Sequence, residues 1–199
     1  MNLRQLIAAD LSRYSATFRQ RGEGGERLRI VLESLFFKAG FQAVFLFRLA
    51  HWLHGHGLTY LAWAVCRLNQ FLTACEMEYN ATIGPGLMIP HPMGLMVGRG
   101  CRLGKNVTLY QNVTLGVSDW RKEKITRFPR IGDNVFIFAG AVVVGDIQVG
   151  DNAVIGANAV VIEDVPAGAL AVGNPARILP GRGAELVAAS GLPALDQEE

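Results

Sequence analysis

Residues 131 to 161 read IGDNVFIFAGAVVVGDIQVGDNAVIGANAVV, and large aliphatic side chains return at Ile131, Ile137, Val143, Val149, Ile155 and Val161, one every six positions. A helix repeats every 3.6 residues and a strand every two, so neither gives this interval. A second small or aliphatic residue tends to follow four places later, at Val135, Ala141, Ile147, Ala153, Ala159 and Val165. Repetition at a short fixed period marks a solenoid, in which each rung buries its face only against the next. Six residues per flat side and three sides per turn make a triangular β-helix. The large aliphatics point inward, and Gly and Asn, as in IGDN, VGDN and IGAN, turn the corners at low backbone strain.

Upstream the same rhythm runs through Ile83, Ile89, Val97, Leu103, Leu109 and Leu115, with Val107 and Val113 as the smaller partners. It fails twice. Two extra residues intrude between Ile89 and Val97, beside His91, and between Leu115 and Ile131 lies VSDWRKEKITRFPR, too long for one side and rich in charge. Departures from a repeat are where sites are grafted. The sequence therefore points to His91 and to a protruding loop.

From Leu3 to about Thr73 the apolar spacing is helical, interrupted at Gly22, Gly24, Gly25, Gly55 and Gly57. The pattern predicts helices over Leu3 to Arg19, two within Leu28 to Trp52, and one over Leu58 to Leu72. Polar residues are sparse in FQAVFLFRLAHWL and YLAWAVCRLNQFL, so these helices are expected to pack on one another or on another subunit. The aromatic run Phe36, Phe37, Phe41, Phe45 and Phe47 reads as core or subunit interface. The division expected is a helical region over 1–74, a β-helix over 75–180, and a C-terminal helix with an acidic, mobile tail over 181–199.

The 199 residues, half of them hydrophobic, suffice for a sizeable core, and a net charge of +2 spread along the chain argues against a nucleic-acid partner. The N-terminal MNLRQLIAADLSRYS lacks a long apolar run, which argues against a secretory signal and for the cytoplasm. Lys38, Arg48 and His51 break the apolar stretch from Leu35 to Leu53, against a membrane-spanning helix. The apolar helices leave peripheral attachment at the inner face of the membrane open. Cys66, Cys75 and Cys101 are odd in number and lack C-x-x-C spacing, so reduced, semi-buried thiols are expected.

FRLAHWL, ATIGPGLMIPHPMGLMVG, NVTLYQNVTLG and GANAVVIEDVPAGALAVGNPARIL together resemble the hexapeptide-repeat acyltransferases, in the branch typified by serine O-acetyltransferase. The resemblance covers most of the chain from about Phe45. It implies an N-terminal α-helical region followed by a left-handed parallel β-helix, with a protruding loop and a C-terminal helix. It also implies a homotrimer, extended in some members to a dimer of trimers, with acetyl-CoA as co-substrate in the groove between neighbours. His91 matches the family's general base, and Glu76, with Glu78 close by, matches the acidic residue that orients it. An imidazole of ordinary basicity can accept an alcohol proton at neutral pH and return it to the CoA thiolate, while a carboxylate fixes its tautomer and backbone N–H groups steady the oxyanion. Gly116, Ala139, Gly140 and Ala157 fall where the family passes the acyl group and the pantetheine arm. Arg177 falls where the CoA phosphates would lie.

The chain departs from the serine enzymes where they hold serine. They usually read Asp-His where this chain has Pro90-His91, and Arg-His-Pro where it has Arg127-Phe128-Pro129. Pro90 has no carboxylate for an amine, and Phe128 offers an apolar surface that suits a pyranose ring. The residues therefore favour an acetyl-CoA-dependent O-acetyltransferase acting on a sugar or glycan-precursor hydroxyl, as in surface-polysaccharide synthesis, with L-serine as the alternative acceptor. A non-catalytic scaffold solenoid is the bland alternative, and it has no need of His91, Glu76 and the small groove residues together. No metal is expected: a zinc site of the carbonic-anhydrase kind needs three histidines on the coils, which hold only His91. His51, His54 and His56 fall at a predicted helix end, where imidazoles suit free carbonyls.

Overall fold

The computed structural model describes residues 1–15, 24–117 and 128–189. Among these, four helices come first: α1 (Leu3–Tyr14), α2 (Gly24–Phe37), α3 (Ala39–Gly55) and α4 (Thr59–Thr73). Asn2 and Gln5 cap α1 reciprocally, side chain to backbone at 2.9 and 3.0 Å. The helix ends at Tyr14, where Ser15 turns to extended geometry, and residues 16–19 of the expected helix lie outside the described residues. Lys38 breaks α2 from α3, whose axes differ by 103°, so the apolar run from Leu35 to Leu53 is not one rod. No single helix among the described residues is long and apolar enough to cross a membrane.

Short strands then wind around a triangular prism. One flat side stacks β1 (Glu76–Met77), β3 (Met96–Val97), β6 (Thr114–Gly116), β9 (Val142–Val144) and β12 (Val160–Val161). The second stacks β2 (Thr82–Ile83), β4 (Arg102–Leu103), β7 (Arg130–Ile131) and β10 (Gln148–Val149). The third stacks β5 (Thr108–Leu109), β8 (Phe136–Ile137), β11 (Val154–Ile155) and β13 (Leu170–Val172), closed by the antiparallel β14 (Arg177–Leu179). The short helix α5 (Arg182–Ala189) follows, where the tail pattern predicts one. All twelve aliphatics of the six-residue series point into the prism, none more than 6 % exposed. This parallel winding is the triangular β-helix that the six-residue period predicts.

Strand register measures each departure from the repeat. Regular coils step by 18, as in Val97 to Leu115 and Ile131 to Val149. Coils that cross His91 step by 20, as in Met77 to Val97 and Ile83 to Leu103. Coils that cross the charged loop step by 28, as in Leu103 to Ile131 and Leu115 to Val143. Near the C-terminal end the step shortens to 16, as in Ile155 to Ala171. Each irregularity is absorbed at a corner, and strand pairing resumes beyond it.

The first coil has no coil before it, and its outward backbone groups need partners. The helices provide them. Arg48 donates to the carbonyls of Ile83 and Gly84, each at 2.6 Å, and grips Asp10 through two bonds of 2.8 and 3.0 Å. Asp10 in turn accepts from the Leu87 N–H at 2.8 Å. Arg13 donates to Gly86 O, the Tyr14 hydroxyl meets Ile89, His51 meets Tyr79 O, and the Cys66 thiol donates to Met77 O. Both Asp10 and Arg48 are buried. Burial pushes the Asp10 carboxyl above its ordinary value, while the guanidinium and the Leu87 N–H pull it back.

α4 is built inside out. It buries Asn69 and Thr73, which bond to each other and, through Asn69, to Ala43 O, and it exposes Tyr60, Trp63 and Phe71. Phe41 and Phe47 join the core while Phe36 and Phe37 stay exposed, so the aromatic run divides between interior and surface. The cysteines are free, but Cys75 and Cys101 are fully buried rather than semi-buried; burial pushes both thiols to about 12 and that of Cys66 to about 11.

Candidate active site

His91 stands at the corner between the third and first sides of the first coil. Here the two extra residues widen the turn. Ile89 and Pro92 are buried on either side of it, whereas His91 is exposed and has no side-chain hydrogen bond to the described residues. Beyond it the corner is pinned by Gly94 N–H to Ala74 O at 2.9 Å and by Asn112 N–H to Met93 O at 3.0 Å.

The bonds below continue as a column: Gly140 N–H to Gln111 O at 3.0 Å, and Asn158 N–H to Ala139 O at 2.9 Å. Met93, Gln111, Ala139 and Ala157 thus occupy equivalent places on successive coils, with His91 at the top. Ala139 and Ala157 leave the lower corner shallow. Gly140 has φ +72, and a Cβ there would overlap the Asn158 amide, so glycine is required beside the column. Three residues on this wall escape notice in the sequence. Tyr110 and Phe138, each one place before the corner, stack at 5.0 Å between ring centroids, and the buried Gln111 Oε1 has no hydrogen-bond partner among the described residues. Their signal is positional: YQN, FAG and GAN are aligned corners.

Glu76 lies on β1, near the same corner through the Ala74 to Gly94 bond. Its carboxylate accepts from Gln70 Nε2 at 3.1 Å and pairs with Arg67 at 3.8 Å, and it makes no hydrogen bond to His91. Glu78 is half-buried two residues on. Pro90 is half-buried immediately before His91.

The remaining expected residues do not join this corner. Gly116, buried at the end of β6, and Phe128, packed over Gly98 and Gly100, lie at the opposite edge of the first side. Five residues of strand separate the two edges, roughly 15 Å. A single chain therefore does not bring Phe128 to His91. Arg127 lies outside the described residues. Arg177, exposed on β14, sits at the far end of the third side, beyond the Ala157 coil.

The histidine cluster resolves into separate bonds. His51 Nδ1 meets Tyr79 O at 2.8 Å, His54 Nδ1 meets Thr59 Oγ1 at 3.2 Å, and His56 Nδ1 meets Trp52 O at 2.8 Å. No group of three or more metal-ligating side chains occurs among the described residues.

Comparison with known proteins agrees with this architecture. Residues 128–163 match the bacterial transferase hexapeptide (six repeats) family model. A serine acetyltransferase of Staphylococcus aureus is 42% identical over 121 residues, 61% of this chain and 56% of that protein, so the chain spans little more than half the length of the curated relatives it matches. Soybean serine acetyltransferase complexed with serine superposes with a TM-score of 0.76 at 35% identity, covering 89% of this chain and 69% of that one. A serine acetyltransferase in complex with CoA superposes with a TM-score of 0.74 at 31% identity, again over 89% and 69%. At 35% identity over 69% of the soybean protein, the chain belongs to the hexapeptide-repeat acyltransferases, in their serine acetyltransferase branch.

Proposed function

We propose that the chain is an acetyl-CoA-dependent O-acetyltransferase in which His91 is the general base. The observation that carries this reading is an exposed imidazole, without a side-chain hydrogen bond to the described residues, on a widened corner at the head of a column whose two lower places are the small residues Ala139 and Ala157. The column suits a thin extended arm: Ala139 and Ala157 present only methyl groups, and Gly140 admits no side chain. Ala139, Gly140 and Ala157 would hold the pantetheine, and Arg177 at its lower end would meet phosphate. Acetyl-CoA supplies an activated acyl group. His91 takes the proton from the acceptor hydroxyl as it attacks, then returns it to the departing thiolate. Glu76 would orient the imidazole on exchanging Gln70 for His91.

L-serine is the acceptor that the relatives favour, since they are named serine acetyltransferases and one is complexed with serine. That preference displaces the sugar hydroxyl that the residues alone suggest. Pro90 and Phe128 still support a sugar as the second reading, because neither carries a charge for an amino acid. Phe128 and Gly116 lie one side away from His91, so a neighbouring copy in a homotrimer would bring them to the acceptor.

Release of CoA thiol from acetyl-CoA, with L-serine in one assay and sugars or nucleotide sugars in others, tests both readings. Saturable turnover with L-serine that His91→Ala abolishes supports the first. Turnover confined to a sugar supports the second, and full activity in His91→Ala sinks the mechanism. Ala157→Leu should weaken CoA binding by tenfold or more, about 1.4 kcal/mol, with an unchanged thermal midpoint; unchanged affinity would remove the column from the CoA site.

A further inference from the structure

We propose that Tyr14, on the helical region, is a positioning residue for His91, so that the helices set the geometry of acetyl transfer as well as covering the end of the prism. The inference rests on reading His91 as the base.

The Tyr14 hydroxyl accepts from the Ile89 N–H at 2.7 Å and donates to the Ile89 carbonyl at 3.2 Å, so one phenol fixes both polar groups of one residue. Ile89 is the last regular inward residue before the widened corner, and its own side chain is fully buried. The next residue is Pro90, whose ring holds φ near −65° and removes a backbone donor. Between the clamped Ile89 and the His91 Cα only one freely variable backbone torsion, ψ of Pro90, remains once Ile89 is held. On the far side the chain is pinned again at Met93 and Gly94. The histidine is thus suspended between two fixed points, one of them supplied by a helix.

Tyr14 is itself held from three directions. Lys38 Nζ donates to its carbonyl at 2.6 Å, Phe41 meets its ring edge-on at 5.5 Å, and a Cβ on Gly40 would overlap the Ile89 carbonyl oxygen and approach the hydroxyl. Burial raises the phenol well above its ordinary range, so it stays protonated and can both donate and accept. Arg48, Asp10 and Arg13 satisfy backbone groups from Ile83 to Leu87. Tyr14 reaches further along the chain, to the residue that delivers the corner.

The test compares Tyr14→Phe with Arg13→Ala in the full chain. Arg13→Ala, one residue before Tyr14 on the same helix, removes bonds to Gly86 O and Thr108 Oγ1 and keeps the Tyr14 hydroxyl that meets Ile89. Tyr14→Phe is expected to lower kcat roughly 10- to 100-fold, as misplacement of a reacting group by about an ångström does. KM for acetyl-CoA and the affinity for CoA should stay within about twofold, since the alanine column is untouched. Arg13→Ala should lower the thermal midpoint with kcat within about threefold of wild type. Wild-type turnover that requires His91 but is unaltered in Tyr14→Phe overturns the positioning role alone, as does an equal loss of kcat in both variants. Absence of any His91-dependent turnover in the wild type overturns the acetyl-transfer reading and this inference with it. Should Tyr14→Phe give no folded protein, Lys38→Ala releases the Tyr14 backbone and keeps its ring. A kcat lowered by roughly threefold or more at constant KM supports the proposal, and an unchanged kcat overturns it.

Discussion

The two ends of the prism are closed by different means. At the N-terminal end, side chains of Asp10, Arg13, Tyr14 and Arg48 take the place of a missing coil, and two of them are buried charges. At the C-terminal end the backbone closes itself: β14 folds back antiparallel on β13, and the N–H groups of Gly183 and Ala184 both donate to Gly168 O, at 2.9 and 3.0 Å. A side-chain grip places each atom of the coil it holds, but one substitution undoes it. A backbone closure tolerates side-chain change and holds nothing in particular. The histidine corner sits at the end held by side chains.

The largest effect should come from breaking that grip. Arg48→Leu leaves the Asp10 carboxylate buried and the carbonyls of Ile83 and Gly84 unpaired, a loss of about 3–5 kcal/mol. Denaturant unfolding should show this, or the protein should fail to accumulate in soluble form. Asp10→Leu combined with Arg48→Leu should cost less than the sum of the two single losses, because each single variant strands the other partner. Additive losses would mean that the pair is not the element closing this end.

An intermediate effect is expected from a regular coil between the ends. Asn134 has φ +56, and its amide accepts from Asn106 and donates to Asn152, both at 3.2 Å. Asn134→Ala keeps the left-handed strain and loses the ladder, for about 1–2 kcal/mol. Thermal melts would report it, and a loss as large as that of Arg48→Leu would erase the distinction between end and middle. The smallest effect belongs to the far end. Arg182 and Glu185 pair at 3.7 Å with both side chains largely exposed, so Arg182→Ala should change stability by less than about 0.5 kcal/mol.

The prism was legible in the sequence because one physical constraint, an inward aliphatic every six residues, repeats along it. Even the irregularities were legible as counts: the extra residues beside His91 reappear as a step of 20, and the charged loop as a step of 28. The helical cap was legible only as helices. Arg48 reads as a break in an apolar run, and nothing nearby reveals that its partner is Asp10, 38 residues earlier, or that both reach the first coil. Helical periodicity tells which face is apolar, not which polar residue crosses to another element. The same limit hides Tyr14. It also leaves Glu76 ambiguous, since its place in the motif suggests His91 while its carboxylate rests on Gln70 and Arg67. Phe128 could be matched to the family motif, but only the winding shows that a whole side of the prism lies between it and His91.

The capped first coil has a consequence for solubility. A prism of stacked parallel strands exposes at each end a ring of unpaired backbone groups, a template on which another prism could continue the stack without limit. Here Arg48, Asp10 and Tyr14 occupy part of that ring at one end, and the antiparallel β14 presents the wrong polarity for parallel addition at the other. The side chains that cap the first coil therefore also block continued stacking at that end, so damage there would be expected to cost solubility as well as stability.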